Sequence, residues 1–367
     1  MHELGVAEPE KHFVIVQEDD ERIEEWGAQN TVLIKKTPFT DEELAGVRQA
    51  MEEYNLSAVY LPDQPIPNAF SEFLLSSDPM AFAAAYPYDI SPTTDDRPFF
   101  FYTWRASQLW DIAVSRYSAD SKINLGVMLL FVSLGFAIFG TAVILILPIW
   151  LLKQHIPRER PVWFHMCYFL SIGLGFILVE IAFVQRIALY LGQPTYALTV
   201  VIFSLLLSSG VGSYMSRRVI NGEERRLNIL LFAIAMVTAV LIAITPTVLD
   251  ASLTLPLAAK LALVVLLLSP LGFLMGMPFP SGLTRLEKPF PQAVCWAWAV
   301  NAAASVLGSV GAIFLAIHIG LAQTMLLGGC CYLGALAAVL LTARSQARQD
   351  EVAISQSPAG ASEAYGD

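Results

Sequence analysis

The feature that most limits the fold of this chain is a succession of long segments that contain no charged side chain. The hydrocarbon core of a bilayer is about 30 Å thick, so a membrane-spanning helix needs about 20 apolar residues. Five segments fit this length: Ile123–Leu152, Pro161–Val179, Ile187–Ser216, Leu227–Leu249 and Leu261–Thr284. A sixth, Pro289–Ala343, is 55 residues long and divides into two helices at His318–Gln323. The sequence therefore predicts a mainly α, multi-pass membrane helix bundle of about seven spans.

The charged residues are distributed unevenly along the chain. Residues 1–122 contain 22 acidic and 9 basic side chains, whereas the remaining residues contain 10 acidic and 13 basic ones. Over the whole chain 15% of residues are charged, against about 25% in a typical soluble domain. We therefore expect an acidic, soluble N-terminal region, a seven-helix transmembrane domain at 123–343 and a disordered polar tail at 344–367.

Basic residues indicate an orientation for the predicted spans. With seven spans, 11 Lys and Arg residues fall on the side of the C-terminus and 4 on the side of the N-terminal region. Because cytoplasmic loops are enriched in Lys and Arg, this asymmetry places the C-terminus in the cytoplasm and the N-terminal region outside.

The first 61 residues have the pattern of a partial α/β domain. Three apolar, β-branched runs predict strands: His12–Gln17, Thr31–Lys36 and Leu56–Leu61. Thr40 followed by Glu43 has the pattern of a capping box, which predicts a helix that ends near Tyr54. No glycine-rich turn follows a strand, and no Ser-His-Asp or Cys-His set can be assembled. This region therefore predicts neither a nucleoside site nor a catalytic centre.

Residues 62–122 form a connector that is rich in proline and aromatic residues. We expect Asp95, Asp96 and Arg97 to pair locally, and Phe99–Trp104 to supply an interfacial aromatic belt. This pattern predicts a collar that seats the soluble region on the bilayer, with contact to a ligand as the alternative.

Four polar residues in or beside the apolar runs form a candidate intramembrane polar site: Glu180, Gln185, Arg186 and Asn301. Ionisable groups within spans are costly, and they are usually paired or functional. Positions 180 and 186 lie on different helix faces, so Glu180 is a structural polar contact to another helix or a cation or proton site. Arg186 is expected to extend to the interface, and Asn301 to make an interhelical hydrogen bond.

Small residues recur every four positions in three of the predicted spans: Gly272 with Gly276, Ser208 with Gly212 and Ser216, and Ala304 with Gly308 and Ala312. This spacing predicts close helix packing, with a substrate path lined by small residues as the alternative. Pro270, Pro278 and Pro280 predict a kinked or broken end of the fifth span.

Several segments together resemble a known family. They are TTDDRPFFF at 93–101, GLGFILVEIAFVQR at 173–186, GQPTYALTVVIFSLLLSSGVGSYMS at 192–216, GMPFPSGL at 276–283 and WAWAVNAAASVLG at 296–308. The chain resembles bacterial membrane-fused spermidine synthase-like proteins, an aminopropyltransferase/methyltransferase-type family. The resemblance covers most of residues 1–343.

The resemblance implies membrane helices, a nucleoside-binding α/β domain and a second helical set, in a bacterial inner membrane. The family's S-adenosyl-binding turn and its acidic catalytic residue have no counterpart here, so we expect no cofactor in this chain. A separate or upstream chain would then complete the α/β domain. The implied nucleotide-using domain is cytoplasmic, which conflicts with the orientation from basic residues and leaves the side of the N-terminal region open.

Two hypotheses for function follow. The chain is the membrane-embedded part of a spermidine synthase-like protein and is not catalytically complete by itself. Alternatively, it is a transporter-like or scaffold module that handles a small cation such as a polyamine. An unaided enzyme is disfavoured because no catalytic set is present. The expected surroundings are the lipid bilayer, with a homo-oligomer possible and no nucleic-acid partner.

Overall fold

The computed structural model describes residues 6, 8–18, 30–64, 66–100, 102–103, 105, 125–151 and 160–356. The chain divides into two compact units. The N-terminal unit comprises Met1–Thr93 with Phe100–Met128, and the membrane unit comprises Thr94–Phe99 with Leu129–Asp367.

The N-terminal unit contains a small antiparallel sheet. Its strands are β1 (Phe13–Glu18), β2 (Asn30–Ile34) and β3 (Leu56–Tyr60), in the order β2-β1-β3. The central strand β1 buries Val14, Ile15 and Val16. All three strands lie within two residues of the ends that the sequence predicts, and the partial α/β character of this region is confirmed.

Helix α1 (Asp41–Tyr54) covers one face of this sheet, where its Leu44 packs with Val14 and Val16. The predicted capping box is present: Thr40 Oγ1 accepts from the Glu43 backbone N–H, and Glu43 accepts from the Thr40 N–H at 2.9 Å. Hydrogen bonds from the Lys35 ammonium, then from the Thr40 backbone, hold the pKa of Glu43 below its usual value. The stabilisation from this depressed pKa is present above the normal carboxyl range and is lost as the pH falls through it.

A Thr40→Ala substitution is expected to loosen α1 without unfolding the chain. An N-cap side chain contributes about 1 kcal/mol, so amide exchange in residues 41–54 should become roughly fivefold faster. Hydrogen–deuterium exchange of the full chain measures this change. Thr37→Ala, at an exposed neighbouring threonine, is the control, and equal acceleration in both variants would contradict the role of the cap.

Two short helices, α2 (Ala69–Leu74) and α3 (Pro79–Ala85), lie in the segment that the sequence analysis treats as a connector. Asn68 and Asp78 cap them with side-chain oxygens. The guanidinium of Arg105 donates to the carbonyl oxygens of Ala83 and Tyr86 at 2.9 and 3.0 Å. These two helices could have been predicted from the N-cap residues Asn68 and Asp78 and from Pro79 at a first helical position.

The membrane unit contains the long apolar helices. They are α4 (Leu125–Leu151), α5 (Arg160–Leu191), α6 (Pro194–Val219), α7 (Glu224–Ala251), α8 (Leu257–Met275), α9 (Pro278–Glu287), α10 (Val294–Ile319) and α11 (Leu321–Gln356). Helices α8 and α9 together make one span, and the described residues contain seven candidate spans. The predicted multi-pass helical bundle is therefore confirmed, and the chain is a multi-pass membrane protein.

Two boundaries differ from the sequence prediction. The third span begins at Pro194 instead of Ile187, because α5 continues to Leu191 and the chain turns at Gly192 with φ of 69°. The predicted disordered tail at 344–367 is helical as far as Gln356, since seven of the residues 344–356 are Ala, Arg or Gln, which favour helices. Residues 357–367 lie outside the described part.

The fifth span is broken, as its prolines predict. Helix α8 ends at Met275, and α9 begins at Pro278, which has no N–H to continue the ladder of hydrogen bonds.

Helix α5 is the centre of the bundle and packs against α6, α10 and α11. Helices α6 and α8 approach each other through glycines: a Cβ at Gly212 would overlap the Phe273 carbonyl, and one at Gly276 would overlap the Ser209 carbonyl. The predicted close packing of small residues is therefore confirmed. Large apolar side chains such as Phe136, Trp150 and Leu266 are more than 70% exposed, which fits contact with lipid.

Candidate intramembrane site and the Asp96 lock

Asp96 joins two helices of the membrane unit, α5 and α11. Its Oδ1 accepts from Arg186 Nη2 of α5 at 2.8 Å and from the backbone N–H of Ala322 at 2.8 Å. Its backbone oxygen accepts from the N–H of Leu321, also at 2.8 Å. Asp96 therefore caps the start of α11 and neutralises a guanidinium that is 10% exposed. We call this arrangement the Asp96 lock.

Neighbouring residues support this lock. Arg97 Nε donates to the carbonyl of Ile317, near the end of α10, at 3.2 Å. Gly320 lies between α10 and α11 with φ of 93°, and a Cβ there would overlap the Asp96 carboxylate. Phe99 packs against the buried core of the bundle. The segment 94–99 is thus an integral part of the membrane unit.

The lock corrects one sequence-based expectation. Asp96 does not pair locally, because its carboxylate binds Arg186, 90 positions away in sequence. Asp95 is exposed and makes no hydrogen bond with any other described residue. Within the candidate collar motif, only Asp96 and Arg97 therefore contact the ends of the membrane helices.

A cleft of about 300 Å³ lies among α5, α6, the α8–α9 break and α10. Its polar lining consists of Ser209, Ser213, Asn301 and Ser305, and its aromatic lining of Phe176 and Phe279. We call it the Asn301 cleft. A broken helix beside a polar cleft is an arrangement that membrane proteins use to bind ligands within the bilayer.

Asn301 is fixed in this cleft by its amide. Its Nδ2 donates to the Phe169 carbonyl of α5 at 3.1 Å, which confirms the predicted interhelical hydrogen bond. A Cβ at Gly173 would lie 2.7 Å from the same Nδ2, so the glycine leaves room for the amide. The Ser305 hydroxyl donates to the Asn301 carbonyl at 3.1 Å.

Glu180 lies on the same face of α5 as the cleft residues Gly173 and Phe176. It follows Gly173 by seven positions, which is about 10 Å along the helix, and Phe176 by four. The Glu180 side chain is half-buried. It makes no ion pair or hydrogen bond with any residue in the described part of the chain. The prediction that Glu180 and Arg186 do not bond is confirmed, since Arg186 binds Asp96.

The four predicted polar residues do not form a single site. Phe169, which bonds Asn301, and Arg186 are 17 positions apart on α5, a separation of about 26 Å. Gln185 is half-buried and has no hydrogen-bond partner among the described residues. Asn301 lines the cleft, and Arg186 belongs to the Asp96 lock. Glu180 lies on the face of α5 that carries the cleft residues, beyond the cleft itself.

The chemistry of the cleft follows from its oxygen atoms. The hydroxyls of Ser209 and Ser305 donate to carbonyls of their own helices at 3.1 Å, so their oxygens remain acceptors for a ligand. Aromatic faces at Phe176 and Phe279 attract cations. Sequence analysis missed these serines and phenylalanines, although the alternative of a path lined by small residues pointed to this region. The described residues contain no cluster of His, Cys, Asp or Glu that could hold a metal ion.

Comparisons with protein-family models, curated proteins and solved structures found no match to this chain.

Proposed function

We propose that this chain is the membrane module of a spermidine synthase-like protein, and that its Asn301 cleft binds a small organic cation of the polyamine class. The supporting observation is that several segments with the family resemblance meet at this cleft. Four of the segments that carry the family resemblance each contribute to the cleft, through Gly173, Ser209, Gly276 and Asn301. The cleft therefore brings together residues from four segments that are distant in sequence.

The chemistry of the lining favours a cation over an anion. The cleft offers serine oxygens and aromatic faces and contains no basic side chain. Glu180 supplies a carboxylate one turn beyond Phe176 on the same helix face. A polyamine carries several ammonium groups separated by methylene chains, so one ammonium can bind Glu180 while another occupies the serine-lined part.

This chain would then bind the cation, and another chain or domain would carry out aminopropyl transfer. In the sequence, no glycine-rich turn follows a strand of the N-terminal sheet. The family resemblance implies that an S-adenosyl-type nucleoside would be held by another chain or domain.

A Glu180→Gln substitution is expected to weaken spermidine binding by roughly tenfold or more, because a hydrogen bond to a charged group contributes about 1.5–3 kcal/mol. Equilibrium binding of radiolabelled spermidine to the protein in nanodiscs measures the affinity. Uptake into proteoliposomes separates a transporter, which moves the cation, from a module that only binds it.

Glu223→Gln is the matched control, since Glu223 pairs with Arg226 on the exposed surface. This variant should bind spermidine like the unmodified protein. Equal affinities for the protein and its Glu180→Gln variant, both folded, would exclude the cation site. Absence of spermidine binding in the unmodified protein would exclude it too.

A further inference from the structure

A second cleft lies between the C-terminal end of α6 and helix α9. Its volume is about 340 Å³, and it contains three cationic side chains, Arg217, Arg285 and Lys288, with Glu287 as its single acid. We call it the basic cleft. It shares Pro280 with the Asn301 cleft and is otherwise lined by different residues.

Two of the three cations are available to a ligand. Arg285 is held at 2.9 Å by Glu224, so much of its charge is compensated. Arg217 and Lys288 are exposed, and neither forms an ion pair within the described residues. They come from two different elements that face one concave volume, an arrangement suited to a phosphate group between them.

The turn after α6 forms one wall of the basic cleft through Ile220, Asn221 and Gly222. Asn221 and Gly222 have positive φ values of 50° and 73°, which reverse the chain at the end of the helix.

An apolar stripe leads from the basic cleft along α6. Leu207, Val211 and Tyr214 are 58%, 48% and 75% exposed, and their spacing of four and three places them on one helix face. Tyrosine is enriched at the headgroup level of a bilayer, and Tyr214 is three positions before Arg217. The cationic cleft is therefore continuous with a surface that suits an acyl chain.

We propose that the basic cleft binds the phosphate of an anionic phospholipid, whose acyl chain lies along the stripe of Leu207, Val211 and Tyr214. Basic pockets between membrane helices bind such headgroups on the side that is rich in Lys and Arg. This site is separate from the cation site and does not depend on it.

Binding of phosphatidylglycerol to the purified chain tests this proposal, with native mass spectrometry as the measurement and phosphatidylcholine as the zwitterionic comparison. The double variant R217Q/K288Q should bind phosphatidylglycerol roughly 30-fold more weakly, because each basic side chain near an anionic surface contributes roughly fivefold. It retains Arg285 and its ion pair with Glu224.

The double variant R218Q/R225Q is the matched control. It removes the same charge from exposed residues at the same end of the bundle, outside the lining of the cleft. Its phosphatidylglycerol affinity should stay within roughly threefold of the unmodified protein, because its arginines act only through the general field.

Three results would overturn the proposal. They are equal weakening in both double variants, equal affinity of the unmodified protein for the two lipids, and displacement of phosphatidylglycerol by inorganic phosphate at millimolar concentration. The last result would assign the cleft to a free anion. Elution of both variants as single species in gel filtration shows that they fold.

Discussion

An Asp96→Ala variant is expected to lose about 3 kcal/mol or more of stability in the membrane unit. The substitution leaves the guanidinium of Arg186, which is 10% exposed, without its carboxylate, and an unpaired buried charge is strongly destabilising. It also removes the acceptor at the Ala322 N–H, for which a cap contributes about 1 kcal/mol. Thermal unfolding followed by fluorescence-detected gel filtration measures the loss.

Asp95→Ala is the control for this experiment, because Asp95 is the exposed neighbour of Asp96 and carries the same charge. The double variant D96A/R186M should recover part of the lost stability, since it removes the stranded charge together with its partner. If Asp95→Ala and Asp96→Ala lower the melting temperature equally, Asp96 has no special role.

A Gly212→Val substitution is expected to destabilise the membrane unit by a comparable amount, because the larger side chain clashes with α8. The first added carbon would overlap the Phe273 carbonyl of α8, and a backbone atom cannot move aside as a flexible side chain can. Overpacking costs about 1–3 kcal/mol where side chains can adjust, so a cost above about 3 kcal/mol is expected here. The yield of folded protein and its melting temperature report this cost.

Gly210→Val provides the comparison within the same helix. A Cβ at Gly210 meets no atom within 4 Å, so this variant should retain the folded yield of the unmodified protein. A normal melting temperature for Gly212→Val would show that α6 and α8 can separate without loss of stability.

Sequence reasoning recovered the spans because a bilayer imposes a length and an apolar composition that few other structures share. It placed a kink or break near the end of the fifth span, because proline lacks a backbone donor; the break lies before Pro278, whereas Pro270 lies inside α8. It shortened the second span because Glu180 and Arg186 interrupt the apolar run. In the fold, α5 includes both residues, since Asp96 neutralises one of them.

The candidate site was only partly accessible from sequence. Asn301 stood out because an amide is costly in lipid, and its partner is a backbone carbonyl that no residue pattern reveals. Ser209 was hidden because serines that bond to their own helix are frequent in spans. The Asp96–Arg186 pair is a long-range contact, so local periodicity carries no information about it.

The Asp96 lock also has a consequence for biogenesis. Its partners Arg186 and Ala322 are made 90 and 226 residues after Asp96. At a synthesis rate of about 5–20 residues per second, Ala322 is synthesised roughly 10–45 s after Asp96. Asp96 can pair with Arg186 well before then, but the lock is complete only after the start of α11 has been synthesised.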